Sequence, residues 1–227
     1  MRIPVYLEVG AGGATRAWVL VLPGVAVAGA STAAALAALP ACVAEETARL
    51  EGLGHPWAHA GELLEFVETE RVDVDLDLGS GASTALFKHD LRPTRPEDVT
   101  VALERFGLAC REIEAAARRA DAAPAGHDER LLAVAEGIGW LLSRLGSKSV
   151  EALPVDPLPR FLAAEQLAIE RLTNLLPGDI ERHAVFLGEP WTTRKVLRRL
   201  VLLVREAAIA ATPATLAPPS SAPTPAP

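Results

Sequence analysis

The side chains best able to do chemistry in this 227-residue chain are its histidines, its two cysteines and a few carboxylates within apolar stretches. The five histidines are scattered, at His55, His59, His89, His127 and His183. Only His55 and His59, in HPWAHAG, have the spacing of a pair. Gly54, Pro56 and Gly61 around them disfavour the helix that would turn two imidazoles toward one ion. A solvated loop is the stronger interpretation, and no metal site is predicted there.

Two glutamates lie on or near apolar helical stripes, where burial would raise a carboxyl pKa and favour acid–base chemistry. Glu165 lies on the apolar line of one predicted helix, and Glu136 lies one turn from Trp140 in another. Boundary glutamates paired with nearby arginines are the stronger interpretation. Cys110 occupies a core position, where a thiol is more often a small hydrophobe than a nucleophile. No catalytic residue is assigned, although a metal-independent enzyme using Glu136, Glu165 or Arg144 stays open.

Three alternating aspartates in DVDLDLGSG, at Asp73, Asp75 and Asp77, have the oxygen spacing of a calcium loop. An EF-hand loop needs glycine at its sixth position and glutamate at its twelfth, which here are Leu78 and Thr84. A strand with one acidic, solvated face explains the alternation better, because acidic side chains also discourage pairing at a sheet edge. No calcium is expected.

The last predicted helix contains five basic residues, Arg194, Lys195, Arg198, Arg199 and Arg205. They either attract an anionic ligand or acidic partner, or form a solvated face opposite a stripe of leucine and valine. Trp191 lies at the entry to this helix, where Thr192 or Thr193 can cap it. We predict that Trp191 is a packing residue first and a pocket wall second.

The elements that must position these residues fall into two groups. The first group begins with three strands, at 3–9, about 17–22 and 25–29. A helix follows, which is capped at Ser31-Thr32 and kinked at Pro40. Two extended segments, at 63–70 and 72–78, complete this group. The first strand alternates as a half-buried strand does. The second group is four helices, one opening at Thr94-Arg95-Pro96-Glu97 with capping-box spacing and the others at about 128–145, 159–176 and 191–210.

Composition limits the classes of function. Half of the residues are hydrophobic but only 4% are aromatic, which favours closely packed helices, and a net charge of −7 disfavours nucleic acid. The two distant cysteines, Cys42 and Cys110, fit a reducing cytoplasm. The uncharged stretch 17–44 is interrupted by Pro23-Gly24, Gly29 and Pro40. We therefore expect no membrane span and no secretion signal.

The segments LLAVAEGIGWLLSRL and GEPWTTRKVLRRLVLLVREAA resemble the DinB-like four-helix proteins over roughly residues 90–212. That resemblance implies a divalent metal held by one histidine on the second helix and an HxxxH pair on the fourth, with transferase or isomerase activity in some members. Here those three positions are Ala133, Leu203 and Ala207, and neither predicted helix, at about 128–145 and 191–210, contains any histidine. The resemblance thus implies a degenerate metal site, with no metal and no cofactor.

The stretch LEVGAGGATRAWVLVLPGVAVAGASTAAALAALPACV resembles a HicB-type strand–strand–strand–helix module, which implies pairing with a protein partner of the antitoxin kind. We therefore predict an α+β protein in four parts. They are a HicB-like module at 1–60, an extended connecting segment with short strands at 61–93, a DinB-like four-helix bundle at 94–211 and a disordered Pro/Ala-rich tail at 212–227.

The leading functional hypothesis is a non-catalytic, cytoplasmic protein that binds a small molecule or acts as a scaffold. Its expected ligand pocket lies in the bundle and is lined by Ala133, Glu136, Trp140, Glu165, Trp191, Leu203 and Ala207. A protein partner for the N-terminal module and a homodimer stay open, and enzymatic activity is disfavoured.

Overall fold

A computed structural model describes residues 1–78, 83–119, 126–146 and 153–211. The N-terminal unit contains β1 (Arg2–Gly10), β2 (Thr15–Trp18), β3 (Ala26–Gly29), α1 (Thr32–Gly52) and β4 (Glu65–Val74). The helical unit contains α2 (Pro96–Arg118), α3 (His127–Ser143), α4 (Pro157–Thr173), α5 (Pro177–Ile180), β5 (His183–Phe186), β6 (Glu189–Thr192) and α6 (Thr193–Ala211). The mixed α and β composition, with a small sheet and a helix first, is confirmed. The expected tail lies outside the described residues.

The four strands of the N-terminal unit form one sheet in the order β3-β2-β1-β4. The pairs β1/β2 and β2/β3 are antiparallel, while β4 returns through α1 to lie parallel to β1. The two extended segments expected at 63–70 and 72–78 are in fact this single strand, Glu65–Val74. Asp73 lies in β4, and Asp75 and Asp77 follow its end.

The second strand is shorter than the sequence predicts, because the chain turns directly after Trp18. The N–H of Val25 donates to the carbonyl of Leu22, and the N–H of Val19 donates to the carbonyl of Val25. A compact apolar loop therefore replaces the expected extension to Leu22.

The strand β1 is buried on both faces, which the alternation of its residues did not predict. Ile3, Val5 and Leu7 pack in the core beneath α1. On the opposite face Tyr6 joins a second core with residues of the 83–90 segment and α6, and Glu8 is fully buried. The sheet is therefore a middle layer between α1 and the helical unit.

The helices α2, α3, α4 and α6 share one hydrophobic core. In it α2 packs on α6 and α4, and α3 packs on α4 and α6. The helix α6 begins after Trp191, which belongs to β6, and Thr192 caps it by accepting from the N–H of Lys195 at 3.2 Å. The capping contact of α2 is shifted one residue from the expectation, since Asp98 accepts from the N–H of Arg95.

None of the helices in the described part of the chain is both long enough and apolar enough to cross a bilayer. The uncharged stretch 17–44 is divided among β2, a loop, β3 and α1.

Candidate functional site

A cleft of about 370 Å³ lies where the N-terminal unit meets the first turns of α2 and α6. One wall is apolar and consists of the last residue of β2, Trp18, and the loop after it: Val19, Leu20, Val21, Pro23, Gly24 and Val25. The opposite wall has polar side chains from three segments: His89, Asp90, Arg95, Glu97, Asp98, Arg194 and Arg198. Apolar Val101, Ala102 and Leu197 complete the lining.

The apolar loop is held against α6 by a glycine that no other residue can replace without strain. Gly24 has φ +91°, and a Cβ on it would lie 3.1 Å from both Val201 Cγ1 and Arg205 Cδ. Pro23, the residue before it, has a backbone φ angle that is fixed by its ring, which restricts the conformation of the turn. The Pro-Gly pair therefore both forms the loop and sets its distance from the helical unit.

Arg198 forms the deepest part of the polar wall and is only 9% exposed. Its Nε and Nη2 donate to the two carboxylate oxygens of Asp90 at 3.2 and 2.6 Å, and Nη2 also donates to the carbonyl of Ala85. The guanidinium lies 4.6 Å from the ring centre of Trp18 and 4.9 Å from that of Phe87. Among the described residues, its buried Nη1 has no hydrogen-bond acceptor.

Arg194 organises the mouth of the cleft. Its guanidinium donates to the carbonyls of Arg92 and Pro93, to the carboxylate of Asp98 and to Nε2 of His89. Burial opposes ionisation of Asp98, but the N–H and guanidinium of Arg95 and the charge of Arg194 more than offset it and lower the Asp98 pKa. Asp98 is therefore an anion at neutral pH.

His89 is held neutral beside these charges. Burial lowers the His89 pKa most, and the neighbouring Arg194 lowers it further. Because an arginine can only donate, Nε2 of His89 is an acceptor in its 3.1 Å contact with Arg194, and the ring proton lies on Nδ1. His89 thus offers the cleft an N–H donor.

The basic side chains of α6 are mostly buried against the N-terminal unit and the connecting segment, so of their two interpretations the solvated face is wrong. Arg205 pairs with Glu46 of α1 at 2.8 Å. The Lys195 ammonium is fully buried and donates to Glu189 and to the carbonyls of Thr84 and Pro190. Arg199 donates to the carbonyl of Ser83. Burial, together with Arg198, lowers the Arg199 pKa to about 10, so it stays charged at neutral pH.

The residues expected to line a pocket in the bundle are only partly brought together. The rings of Trp140 and Trp191 meet edge to face at 5.2 Å, and the Arg144 guanidinium lies 4.2 Å from the Trp140 ring centre. Trp191 is buried, as predicted for a packing residue, but Trp140 is 44% exposed. A smaller cavity of about 140 Å³ has Trp140 and Leu203 in its lining.

The three positions implied as lost metal ligands lie along the seam between α3 and α6. The helices are antiparallel there, since Arg130 donates to the carbonyl of Ala210 and a Cβ on Gly137 would meet Leu203 at 2.8 Å. That register sets Ala133 beside Ala207, with Leu203 one turn away. Ala133 is exposed at the outer edge of the seam, so it does not line a pocket inside the bundle as predicted. No three potential ligands of the His, Cys, Asp or Glu type converge among residues 1–78, 83–119, 126–146 and 153–211.

The candidate acid–base groups lie apart. Glu136 is exposed on α3. Glu165 of α4 is near Glu114 and Arg111 of α2, where burial and the Glu114 charge raise the Glu165 pKa. Burial also raises the pKa of the Cys110 thiol far above its usual range, which agrees with its prediction as a small hydrophobe.

Two of the other histidines pair singly with glutamates. His55 contacts Glu104 and His59 contacts Glu62, each through Nδ1 at 2.8 Å. These are different carboxylates on different segments, so the two imidazoles do not share a partner.

The sequence did not single out Trp18, Asp90 or Asp98, and it assigned His89 only to a loop or helix edge. One pattern could have identified the buried wall. Arg194, Arg198 and Arg205 fall on the same helical stripe as the apolar Val201 and Ala208, which is the spacing of a buried face.

Comparisons with known proteins give no further guide. No family model matches the chain, and neither curated proteins nor solved structures show a significant match to it.

Proposed function

We propose that this protein is a non-enzymatic binder of a small molecule, and that the ligand lies in the cleft between the apolar loop after β2 and the first turns of α2 and α6. The observation that supports this most is the pairing of one apolar wall with one polar wall at the junction of two units. Ligand sites are typically concave, mostly apolar and furnished with a few fixed polar groups, and they often lie between domains.

The side chains that line the cleft favour the binding of a ligand over its chemical conversion. Among the described residues that line the cleft, none has a hydroxyl, thiol or amine that would act as a nucleophile. Asp90 and Asp98 are each paired with an arginine. Their carboxylates are therefore poor general bases.

We further propose that the helical unit is a DinB-like four-helix bundle with a degenerate metal site, and that the N-terminal unit is HicB-like. The strand–strand–strand–helix order supports the second assignment. The α3/α6 register, which sets Ala133 beside Ala207, supports the first. The expected pocket in the bundle remains an alternative site, with a transferase- or isomerase-like enzyme as its catalytic form.

A second candidate function is the binding of a protein partner through the N-terminal unit. It is favoured by the position of β4, which lies at the end of the strand order and is paired within the described residues only with β1. Such an edge can accept a strand from another chain, including a second copy. A pull-down from the native host that returns only this protein would oppose it.

The proposed function can be tested with N-phenyl-naphthylamine, a neutral dye whose fluorescence depends on its environment. Its fluorescence measures how tightly the dye binds to the protein. Val101 lies at the rim of the cleft and is 38% exposed, so V101W is expected to fold and to fill the opening. We expect saturable binding to the wild type and loss of it, by about tenfold or more in affinity, in V101W.

The matched control is V155W, which makes the same change at a residue that is 87% exposed and does not line the cleft. It should bind the dye as the wild type does. Equal binding by the wild type and V101W would place the dye elsewhere and contradict the proposal.

A further inference from the structure

We infer that the natural ligand of the cleft is a small apolar monocarboxylic acid, with its carboxylate against His89 and its hydrocarbon part along the apolar loop after β2. This inference rests on the proposed function and adds the chemical class of the ligand. Two features of the cleft support it: donors that no described residue accepts from, one of them on a guanidinium, and an apolar wall.

The unused donor is Nδ1–H of His89. The contact from Arg194 occupies Nε2, which leaves the proton on Nδ1. No described residue accepts from that N–H, and the His89 ring is part of the lining. Arg198 Nη1 lies in the same wall, buried and without an acceptor. A ligand at this wall must therefore supply an oxygen acceptor rather than a donor.

The unused donor on Arg198 favours an anion. The charged side chains of the lining balance one another, since Arg95, Arg194 and Arg198 face Asp90, Glu97 and Asp98. A carboxylate oxygen accepts a charge-assisted hydrogen bond from the Arg198 guanidinium, which is stronger than the bond to a neutral carbonyl. An amine would find Asp90 and Asp98 already paired with arginines.

The apolar wall determines what the rest of the ligand must be. Val19, Leu20, Val21, Pro23 and Val25 offer hydrocarbon surface facing the polar wall. Sugar hydroxyls would lose their water there without gaining hydrogen-bond partners. An alkyl or aryl group attached to a carboxylate suits both walls.

The experiment compares octanoate, octanamide and octylamine by isothermal titration calorimetry with the full chain. The three probes share a chain length and differ in head group. We expect octanoate to bind about tenfold or more tightly than octanamide, because charge-assisted hydrogen bonds are the stronger ones, and octylamine to bind weakest.

The pH provides a second readout. The titratable and charged groups facing His89 are Tyr6, Asp90, Arg92, Asp98 and Arg194, and a bound carboxylate adds one negative charge to them. That charge favours the protonated imidazole, so binding takes up a proton. Because the His89 pKa of the free protein lies below its ordinary value, the affinity for octanoate should rise as the pH falls below about 6.5, while that for octanamide stays constant.

Two variants locate the effect. H89L removes the donor, so it should lower the affinity for octanoate about tenfold and abolish the pH dependence of that affinity. H89N keeps an N–H donor and should retain more of the affinity. Arg194 keeps three other acceptors in both variants. H183L makes the same change on the exposed strand β5 and should leave binding as in the wild type.

The outcomes separate the two proposals. The ligand class is wrong and the proposed function stands if the wild type binds the neutral dye and V101W does not, but octanoate binds no more tightly than octanamide. The same holds if H89L binds octanoate as tightly as H183L does. If the wild type binds neither dye nor octanoate, both are overturned.

Discussion

Glu8 shows at the scale of one residue how a charged group in a strand can fix the path of a distant segment. It is fully buried in β1. Its carboxylate accepts from the hydroxyl of Ser83 at 2.7 Å and from the N–H groups of Thr84 and Ala85 at 2.8 and 3.0 Å. These contacts hold the start of the segment that brings His89 and Asp90 to the cleft.

We expect E8A to destabilise the protein by about 3 kcal/mol or more, because three donors, two of them buried, lose their acceptor. E8Q keeps an oxygen for the two N–H groups and an amide for Ser83, so its cost should be only about 1–2 kcal/mol. Urea unfolding followed by circular dichroism measures both.

The control for this pair is E68Q on the half-exposed Glu68 of β4, where the free energy of unfolding should change by less than about 0.5 kcal/mol. Similar costs for E8A and E68Q would mean that Glu8 does not hold the 83–85 segment.

At the scale of elements, the long helices were predictable and the hairpin before α6 was not. The helices α2, α3 and α4 have strong apolar periodicity over 17 residues or more, and their predicted bounds are within a few residues of the observed ones. The β5/β6 turn has Leu187 at φ 52° and Gly188 at φ 82°. A leucine is rare in that left-handed conformation, so FLGEP lacks the usual hairpin signature.

The candidate cleft was not predictable because its partners are distant in the chain. Arg198 pairs with a residue 108 positions away, and Arg194 with one 96 positions away. Local periodicity indicates which face of α6 is apolar, but not that Asp90 and Asp98 neutralise the arginines on it. The choice between a solvated and a buried basic face therefore needs the tertiary structure.

The proposed DinB-like register of α3 and α6 can be tested by restoring the missing ligands. In A133H/L203H/A207H, two histidines share a face of α6 and the third approaches from α3, so about one equivalent of zinc should bind with micromolar or better affinity. Titration calorimetry with zinc measures the stoichiometry and affinity, and zinc should also raise the melting temperature.

The comparison variant is A133H/L203H/I209H, which has the same number of new histidines but places the third on a half-exposed position of a different face of α6. It should bind zinc at least about tenfold more weakly than the restored set. Equal affinities would contradict the register.

At the scale of the whole molecule, a chain of buried charges links the N-terminal unit to the helical unit. Glu46 of α1 accepts from Arg205 of α6 at 2.8 Å and from Arg49 at 2.7 Å, and Arg49 also pairs with Glu112 of α2. Burial opposes ionisation of Glu46, but the hydrogen bonds from Arg49 and Arg205 outweigh it, and the Glu46 pKa is lowered. The two units should therefore unfold together.

We expect E46Q to lower the free energy of unfolding by about 3 kcal/mol at neutral pH, because Arg205 loses its buried counter-ion. Since the folded pKa of Glu46 is below the unfolded value, its stabilisation is complete above the unfolded pKa and is lost as the pH falls through the folded one. The difference between wild type and E46Q should thus shrink on acidification below about pH 4. The measurement is urea unfolding across this range.

The matched control is E45Q, at the neighbouring exposed glutamate of α1, whose effect should be small at every pH. Tryptophan fluorescence adds a test of coupling, because Trp57 reports on the N-terminal unit and Trp140 and Trp191 on the helical unit. One variant keeps only Trp57 and another keeps only Trp140 and Trp191, with phenylalanine at the other tryptophans. The two variants should give coincident transitions when Glu46 is present. Separate transitions, or a constant E46Q effect across the acid range, would show that this ion-pair network does not join the two units.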